Sequence, residues 1–258
     1  MTTPLAEVAA EGLRLVDTAT ATGLPVRLLG GVGVAVHDHR AVPAALERGY
    51  GDLDVVVAAR ATRQTTQLMQ AAGYGPNERF NALHGAQRML FYDTTNKRQV
   101  DVFVGVFAMC HRLDLSARLH HHPYALDAAD LLLTKLQIHE VNRKDLVDAV
   151  RLVLTHETAN IAGAPTAGVD AMSLDRLREV TSTDWGWFTT VTDNLSLVRT
   201  AASELLEPGD ATVVTQRLDA IEASLQSAPK SMRWKARSMV GRKTPWYDLP
   251  EEVGGAHA

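Results

Sequence analysis

The run Asp52-Leu53-Asp54-Val55-Val56-Val57 admits few folds. Side chains alternate across a strand, so Asp52 and Asp54 share one face while Leu53, Val55 and Val57 take the other. Unpaired like charges about 6 to 7 Å apart repel, and a protein that keeps them on one strand face commonly supplies a cation. Hard oxygen donors favour Mg²⁺ or Mn²⁺. An Asp-X-Asp pair on a half-exposed strand is also an ordinary solvated surface, so the run alone leaves both readings open.

The flanking sequence supplies the rest of an α/β pattern. Apolar positions Leu5, Val8, Ala9, Leu13, Leu15 and Val16 follow a helical period that Gly23-Leu24-Pro25 ends. Val26-Arg27-Leu28-Leu29 reads as a strand, Gly30-Gly31 as a turn, and residues 32–37 as a helix. A helix over about residues 62–72 follows the Asp52 strand, and residues 88–92 and 99–104 form a hairpin around Asp93-Thr94-Thr95-Asn96. Asp101 interrupts Val100, Val102 and Val104 by lying on the opposite face. After Pro123 the pattern turns helical, with Asp127 and Asp130 as an N-terminal cap before Leu131 and a second helix over about residues 143–154. Residues 160–169 make the best linker, and further helices are expected over about residues 174–180, 185–205 and 211–226. The expected organisation is an α/β unit with a small mixed sheet over residues 1–158 and a helical one over residues 170–258.

At 46% hydrophobic and 22% charged residues, the 258-residue chain has ordinary globular composition. No apolar stretch reaches the roughly 18 residues of a membrane helix, residues 28–36 being the longest candidate, and Glu7, Glu11, Arg14 and Asp17 interrupt any secretory signal. A cytoplasmic protein without membrane partners is expected. The single Cys110 excludes a disulfide framework or a multi-thiolate zinc site. Six cations, Lys230, Arg233, Lys235, Arg237, Arg242 and Lys243, fall between Glu222 and Asp248 without an acid. Taking them away from the net charge of −4 leaves −10 for the remainder, an asymmetry that points to a polyanion partner. Trp234, Trp246 and Tyr247 interleave with these cations, as in single-strand nucleic-acid binders, although a solvated charged helix has the same composition.

Gly30-Gly31 after a strand and before a helix lets backbone approach a phosphate, and the helix N-terminus favours an anion. With Asp52, Asp54 and Asp101 on sheet strands, the pattern resembles the nucleotidyltransferase superfold shared with DNA polymerase β. Downstream, Leu131-Leu132-Leu133-Thr134-Lys135-Leu136 followed by Arg143-Lys144-Asp145-Leu146-Val147-Asp148 resembles the last motif of the AbiEii toxin-type nucleotidyltransferases. The likeness spans about residues 24–155. It implies two Mg²⁺ ions on Asp52 and Asp54, an NTP with phosphates at Gly30 and Gly31, and Asp101 completing the metal site or drawing a proton from the acceptor. Two departures stand out: Val32-Gly33 replaces the family's small polar residue, and 21 positions separate Gly31 from Asp52, including His37, Asp38, His39 and Arg40.

Lys135 falls on or beside the apolar face of its helix, where it is either a snorkelling lysine or a triphosphate contact. Asp145 and Asp148 share a helix edge, as a cap or as catalytic carboxylates. Arg88, beside Asp101 in the hairpin, is a phosphate candidate. His120-His121-His122 reads as a solvated loop, and Trp185, Trp187 and Phe188 as core or interface. The expectation is a Mg²⁺-dependent enzyme that moves an NMP from an NTP to a hydroxyl and releases pyrophosphate. An RNA 3′ end held by the basic segment is the favoured acceptor, as in a toxin with an antitoxin partner. A small molecule or a protein is the alternative acceptor, and a non-catalytic nucleic-acid or protein binder is the alternative function.

Overall fold

Helix α1 (Val8–Ala21) begins at Glu7, whose carboxylate accepts hydrogen bonds from the N–H groups of Ala9 and Ala10, and the chain leaves it through Gly23 at a φ of +73°. The computed structural model describes residues 2–37, 41–161 and 171–249. Asp38, His39 and Arg40, and all of the expected linker beyond Ile161, lie outside them.

Five strands form a mixed sheet: β1 (Val26–Leu29), β2 (Leu53–Val57), β3 (Gly75–Pro76), β4 (Arg88–Asp93) and β5 (Arg98–Val104), in the order β1-β2-β5-β4-β3. Only β2 and β5 run parallel, and their register sets Asp54 opposite Asp101. The β4–β5 hairpin turns over residues 94–97. Asp93 accepts from the N–H groups of Thr95 and Asn96, and Lys97 takes a φ of +54°.

Both faces of β2 are covered. Val55 and Val57 pack with Leu15, Val16 and Met69 from α1 and α3 (Thr62–Ala71), while Val56 packs toward α5 (Ala128–Leu136) and α6 (Arg143–Thr155). Alternation within the strand therefore places Asp54 on the same face as Val56, and the helical cover ends where the carboxylates begin. Burying each of these side chains contributes about 1.5 to 3 kcal/mol. The same apolar cluster runs on through α7 (Leu174–Thr183), α8 (Trp185–Leu205) and α9 (Pro208–Ser227), joining Leu131 and Val150 to Leu195 and Leu218. The protein is thus a mixed α/β core with a small mixed sheet, followed by helices.

Several short elements carried no periodic signal. They are α4 (Glu78–His84), the antiparallel ribbon β6 (Val106–Ala108) and β7 (Arg112–Asp114), and the parallel pair β8 (Glu157–Ala159) and β9 (Ala171–Ser173). The basic stretch forms α10 (Met232–Val240). The outer edge of β1 is closed by residues 124–126: Leu28 donates to Tyr124 at 2.9 Å, and Leu126 donates to Leu28 at 3.0 Å. At the opposite edge β3 is two residues long and contains Pro76.

Candidate active site

The glycine turn, the two parallel strands and the starts of α5 and α6 converge on one cluster of charges. Gly30 has a φ of +64°, and a Cβ there would lie 2.0 Å from Oδ2 of Asp54. Glycine is required on both counts. A Cβ on Gly31 would meet Nη2 of Arg48 at 2.0 Å and Tyr50 at 2.9 Å. Helix α2 (Gly30–Ala35) has only six residues, so the dipole expected to favour a phosphate is small. Close approach to the turn rests instead on its missing side chains and on the cations around it.

Asp54 makes no side-chain hydrogen bond or ion pair among the described residues, and neither does exposed Asp52. Burial, the charge of Asp101 and to a lesser degree that of Asp52 push the Asp54 carboxyl up to about 7, against the opposing charges of Lys135 and Arg88. Asp101, by contrast, is closed by Arg88, which donates from Nε at 2.6 Å and Nη2 at 2.8 Å, and Gln99 adds a bond at 3.3 Å. Arg88, read from sequence as a phosphate contact, is here the partner of a carboxylate.

Lys135 is 7% exposed, in a helix whose every residue is buried, so it does not snorkel. Its Nζ reaches Asp145 at 2.8 Å and Asp148 at 2.9 Å. Burial disfavours the ammonium, but the charges of these two acids outweigh it and raise the Lys135 pKa. Asp148 also accepts two hydrogen bonds from Arg48, at 2.8 and 2.6 Å. Burial works against its charge as well, and the bonds from Arg48 and Lys135 hold its pKa below the usual carboxylate value. Asn142 caps α6 through the N–H of Asp145 at 3.0 Å, so Asp145 sits in the first turn while its carboxylate serves Lys135.

Gly30, Gly31, Asp52, Asp54, Arg88, Asp101, Lys135, Asp145 and Asp148, the residues expected to carry the chemistry, lie in this one region, and two more were missed. Arg48 and Tyr50 bridge α6 to Gly31: the Arg48 guanidinium stacks over the Tyr50 ring at 4.7 Å, and Arg151 donates to the Tyr50 hydroxyl at 2.9 Å. Their only cue was their place just before Asp52, in a stretch without periodicity. The charge balance is informative. Arg88 answers Asp101, and Lys135 and Arg48 answer Asp145 and Asp148, which leaves Asp52 and Asp54 without an ion-pair partner among the described residues. Two free carboxylates are the charge that one divalent cation balances, and oxygen donors suit Mg²⁺ or Mn²⁺. No group of three close metal-ligating side chains is assembled among the described residues; with Arg88 in place, the donors available are Asp52 and Asp54.

The C-terminal cations have work within the chain. Lys230 lies over Phe188 at 4.6 Å, Arg237 over Trp185 at 4.8 Å, and Arg242 over Trp246 at 5.0 Å. Arg242 also bonds Asp193 at 2.7 Å, and Arg237 donates to carbonyls of Gly241, Thr244 and Pro245. Arg233, Lys235 and Lys243 make no side-chain contact of this kind among the described residues. The histidine triplet lies outside helix and strand with His120 exposed, as expected, but its other two members are engaged: His121 meets Asp127 at 3.1 Å, and His122 stacks on His37 at 4.1 Å. Cys110 is buried, and burial raises its thiol pKa.

No protein-family model and no curated protein matches the chain. Among solved structures, the lincosamide antibiotic adenylyltransferase LnuA in its lincomycin-bound form overlays with a TM-score of 0.39 at 14% identity, over 57% of this chain and 96% of that one. The antibiotic-resistance factor ANT(2'')-Ia overlays with a TM-score of 0.37 at 8% identity, over 54% and 78%. An antigenic nucleotidyltransferase-like protein from Paracoccidioides brasiliensis overlays with a TM-score of 0.41 at 13% identity, over 94% and 100%. At such identities the chemistry has to be read from the side chains themselves.

Proposed function

We propose that the protein is a divalent-cation-dependent nucleotidyltransferase that moves an NMP from an NTP to an acceptor hydroxyl. The observation that carries this reading is the pair of carboxylates without a described ion-pair partner, Asp52 and Asp54, of which Asp54 lies against the glycine turn with Arg48, Arg88 and Lys135 nearby. Asp52 and Asp54 would hold the cation, which when bound neutralises phosphate charge and orients the triphosphate. Gly30 and Gly31 leave room for the phosphates. Lys135 and Arg48, anchored by Asp145 and Asp148, fix positive charge behind that room without moving. Asp101, held by Arg88, faces the reacting hydroxyl. Positioning and fixed charge supply most of the rate.

An RNA 3′ end as acceptor, as in a toxin countered by an antitoxin, draws support only from Arg233, Lys235 and Lys243, the cations of the basic segment left without a described partner. The test is thermal unfolding with each NTP, with and without Mg²⁺, followed by incubation with α-labelled NTP. Metal-dependent stabilisation by an NTP is the expected result, abolished in Asp52→Ala while the mutant stays folded. Equal stabilisation of Asp52→Ala and wild type would remove the site from consideration. A protein that binds without transferring label would be a non-catalytic binder on this fold.

A further inference from the structure

We propose that the cleft beside Arg88 is the acceptor pocket, and that the hydroxyl compound it receives is small, electrically neutral and apolar on one side. The inference rests on the nucleotidyltransferase reading and names its substrate class. The cavity measures about 320 Å³, within the range of small-molecule sites. Its walls include Phe80, Leu83 and His84 of α4, together with Gln87, Phe103 and Met109. Arg88 lines it too and ties it to the reaction centre, because the guanidinium that borders the cavity is the one bonded twice to Asp101, the register partner of Asp54.

Helix α4 has no buried residue, yet it carries Leu83 at 71% exposure facing this space. It is held to the sheet by polar contacts: Asn81 donates to Leu90 at 3.0 Å and accepts from it at 2.7 Å. A helix without core contacts that turns phenylalanine, leucine and histidine toward a cavity gains apolar burial only when something fills the cavity. The rings of Phe80 and His84 already pack at 4.7 Å, and Arg88 lies 5.2 Å over Phe103, so the walls offer flat surfaces.

Charge selects the occupant. Among the described residues that line the cavity there is no carboxylate, so a polycation finds no counter-ion among them. The one permanently charged residue among the described lining is Arg88, committed to Asp101, so a polyanion finds no free cation among them either. What remains is a neutral compound whose apolar side lies on Phe80, Leu83 and Phe103 and whose hydroxyl points toward Asp101. In the reaction the hydroxyl oxygen forms a bond to the α-phosphorus and the bond from that phosphorus to pyrophosphate breaks. Pyrophosphate leaves with the bonding pair, and the hydroxyl proton passes to Asp101.

The test uses phenyl β-glucoside as the neutral probe, neomycin as a polycationic one and a 12-nucleotide RNA as a polyanionic one, each offered with α-labelled NTP and Mg²⁺. Phenyl β-glucoside is expected to take the label. Leu83→Asp, at an exposed position that folding does not depend on, is expected to raise its KM at least about tenfold by placing a charge against the apolar side, with kcat and Mg²⁺-dependent NTP stabilisation unchanged. Calorimetry on the nucleotide-free protein reads the pocket separately: wild type binds phenyl β-glucoside and Leu83→Asp does not. Label entering only neomycin or only RNA, an unchanged KM in Leu83→Asp, or no calorimetric binding would overturn the pocket assignment. Pocket binding without any NTP stabilisation would instead overturn the nucleotidyltransferase reading, and with it the acceptor role.

Discussion

In the folded protein the Asp54 carboxyl keeps its proton up to about pH 7, whereas the unfolded chain releases it near pH 4. Between those values the native state holds a proton that the unfolded state lacks, so this residue makes folding less favourable as pH rises toward 7 and imposes a constant cost above it. Asp54→Asn should therefore stabilise the protein at pH 8 by about 2 kcal/mol and hardly at all at pH 4, the partial exposure of Asp54 keeping the gain below a fully buried group's. Urea melts at the two pH values decide it, and equal gains would show that the carboxyl is not perturbed. Mg²⁺ should stabilise wild type more at pH 8 than at pH 6, when the proton no longer competes. The shared face of Asp52 and Asp54 was legible in the alternation of residues 52–57, which by itself left a solvated pair and a cation site both open. What was not legible is that Arg88 bonds Asp101 while no described side chain bonds Asp54. Partner choice among charges is set by three-dimensional approach, and sequence distance carries no trace of it.

At the level of elements, the strand–turn–helix of β1, Gly30-Gly31 and α2 sets how near a triphosphate can come. Gly30→Ala meets both a φ of +64° and an Asp54 oxygen at 2.0 Å. It should cost about 2 to 3 kcal/mol in stability and eliminate NTP binding, measured by thermal unfolding and nucleotide titration. A Gly30→Ala protein with wild-type melting and nucleotide affinity would show that the turn is free to move away from β2. Long periodic helices and the Asp93 turn were readable because hydrophobic spacing and turn chemistry are local properties. Helix α4 and the β6–β7 ribbon were not, because α4 buries nothing and the ribbon strands are three residues each, too short for a period. Arg48 and Tyr50 escaped for a related reason: a loop residue takes its function from what it touches, here Asp148 and Gly31.

Across the whole molecule, the basic segment acts first as a fastening. Arg237 stacks on Trp185 and donates to carbonyls of the segment just after α10, so Arg237→Gln should lower stability by about 1 kcal/mol, while Lys235→Gln, which loses no described side-chain contact, should leave the melting temperature unchanged. Indistinguishable melting curves for the two would return the segment to the status of a nucleic-acid arm. RNA affinity in that case should lose about 0.7 log units of salt dependence for each phosphate contact removed. The sheet's two margins have a different bearing, on behaviour in concentrated solution. A free strand margin is a template on which a second chain can add itself by backbone pairing, the first step toward aggregates. Here residues 124–126 occupy the ladder along β1, and β3 presents a two-residue margin with a proline that has no N–H to give. Copies of this protein can crowd against one another without their sheets joining end to end.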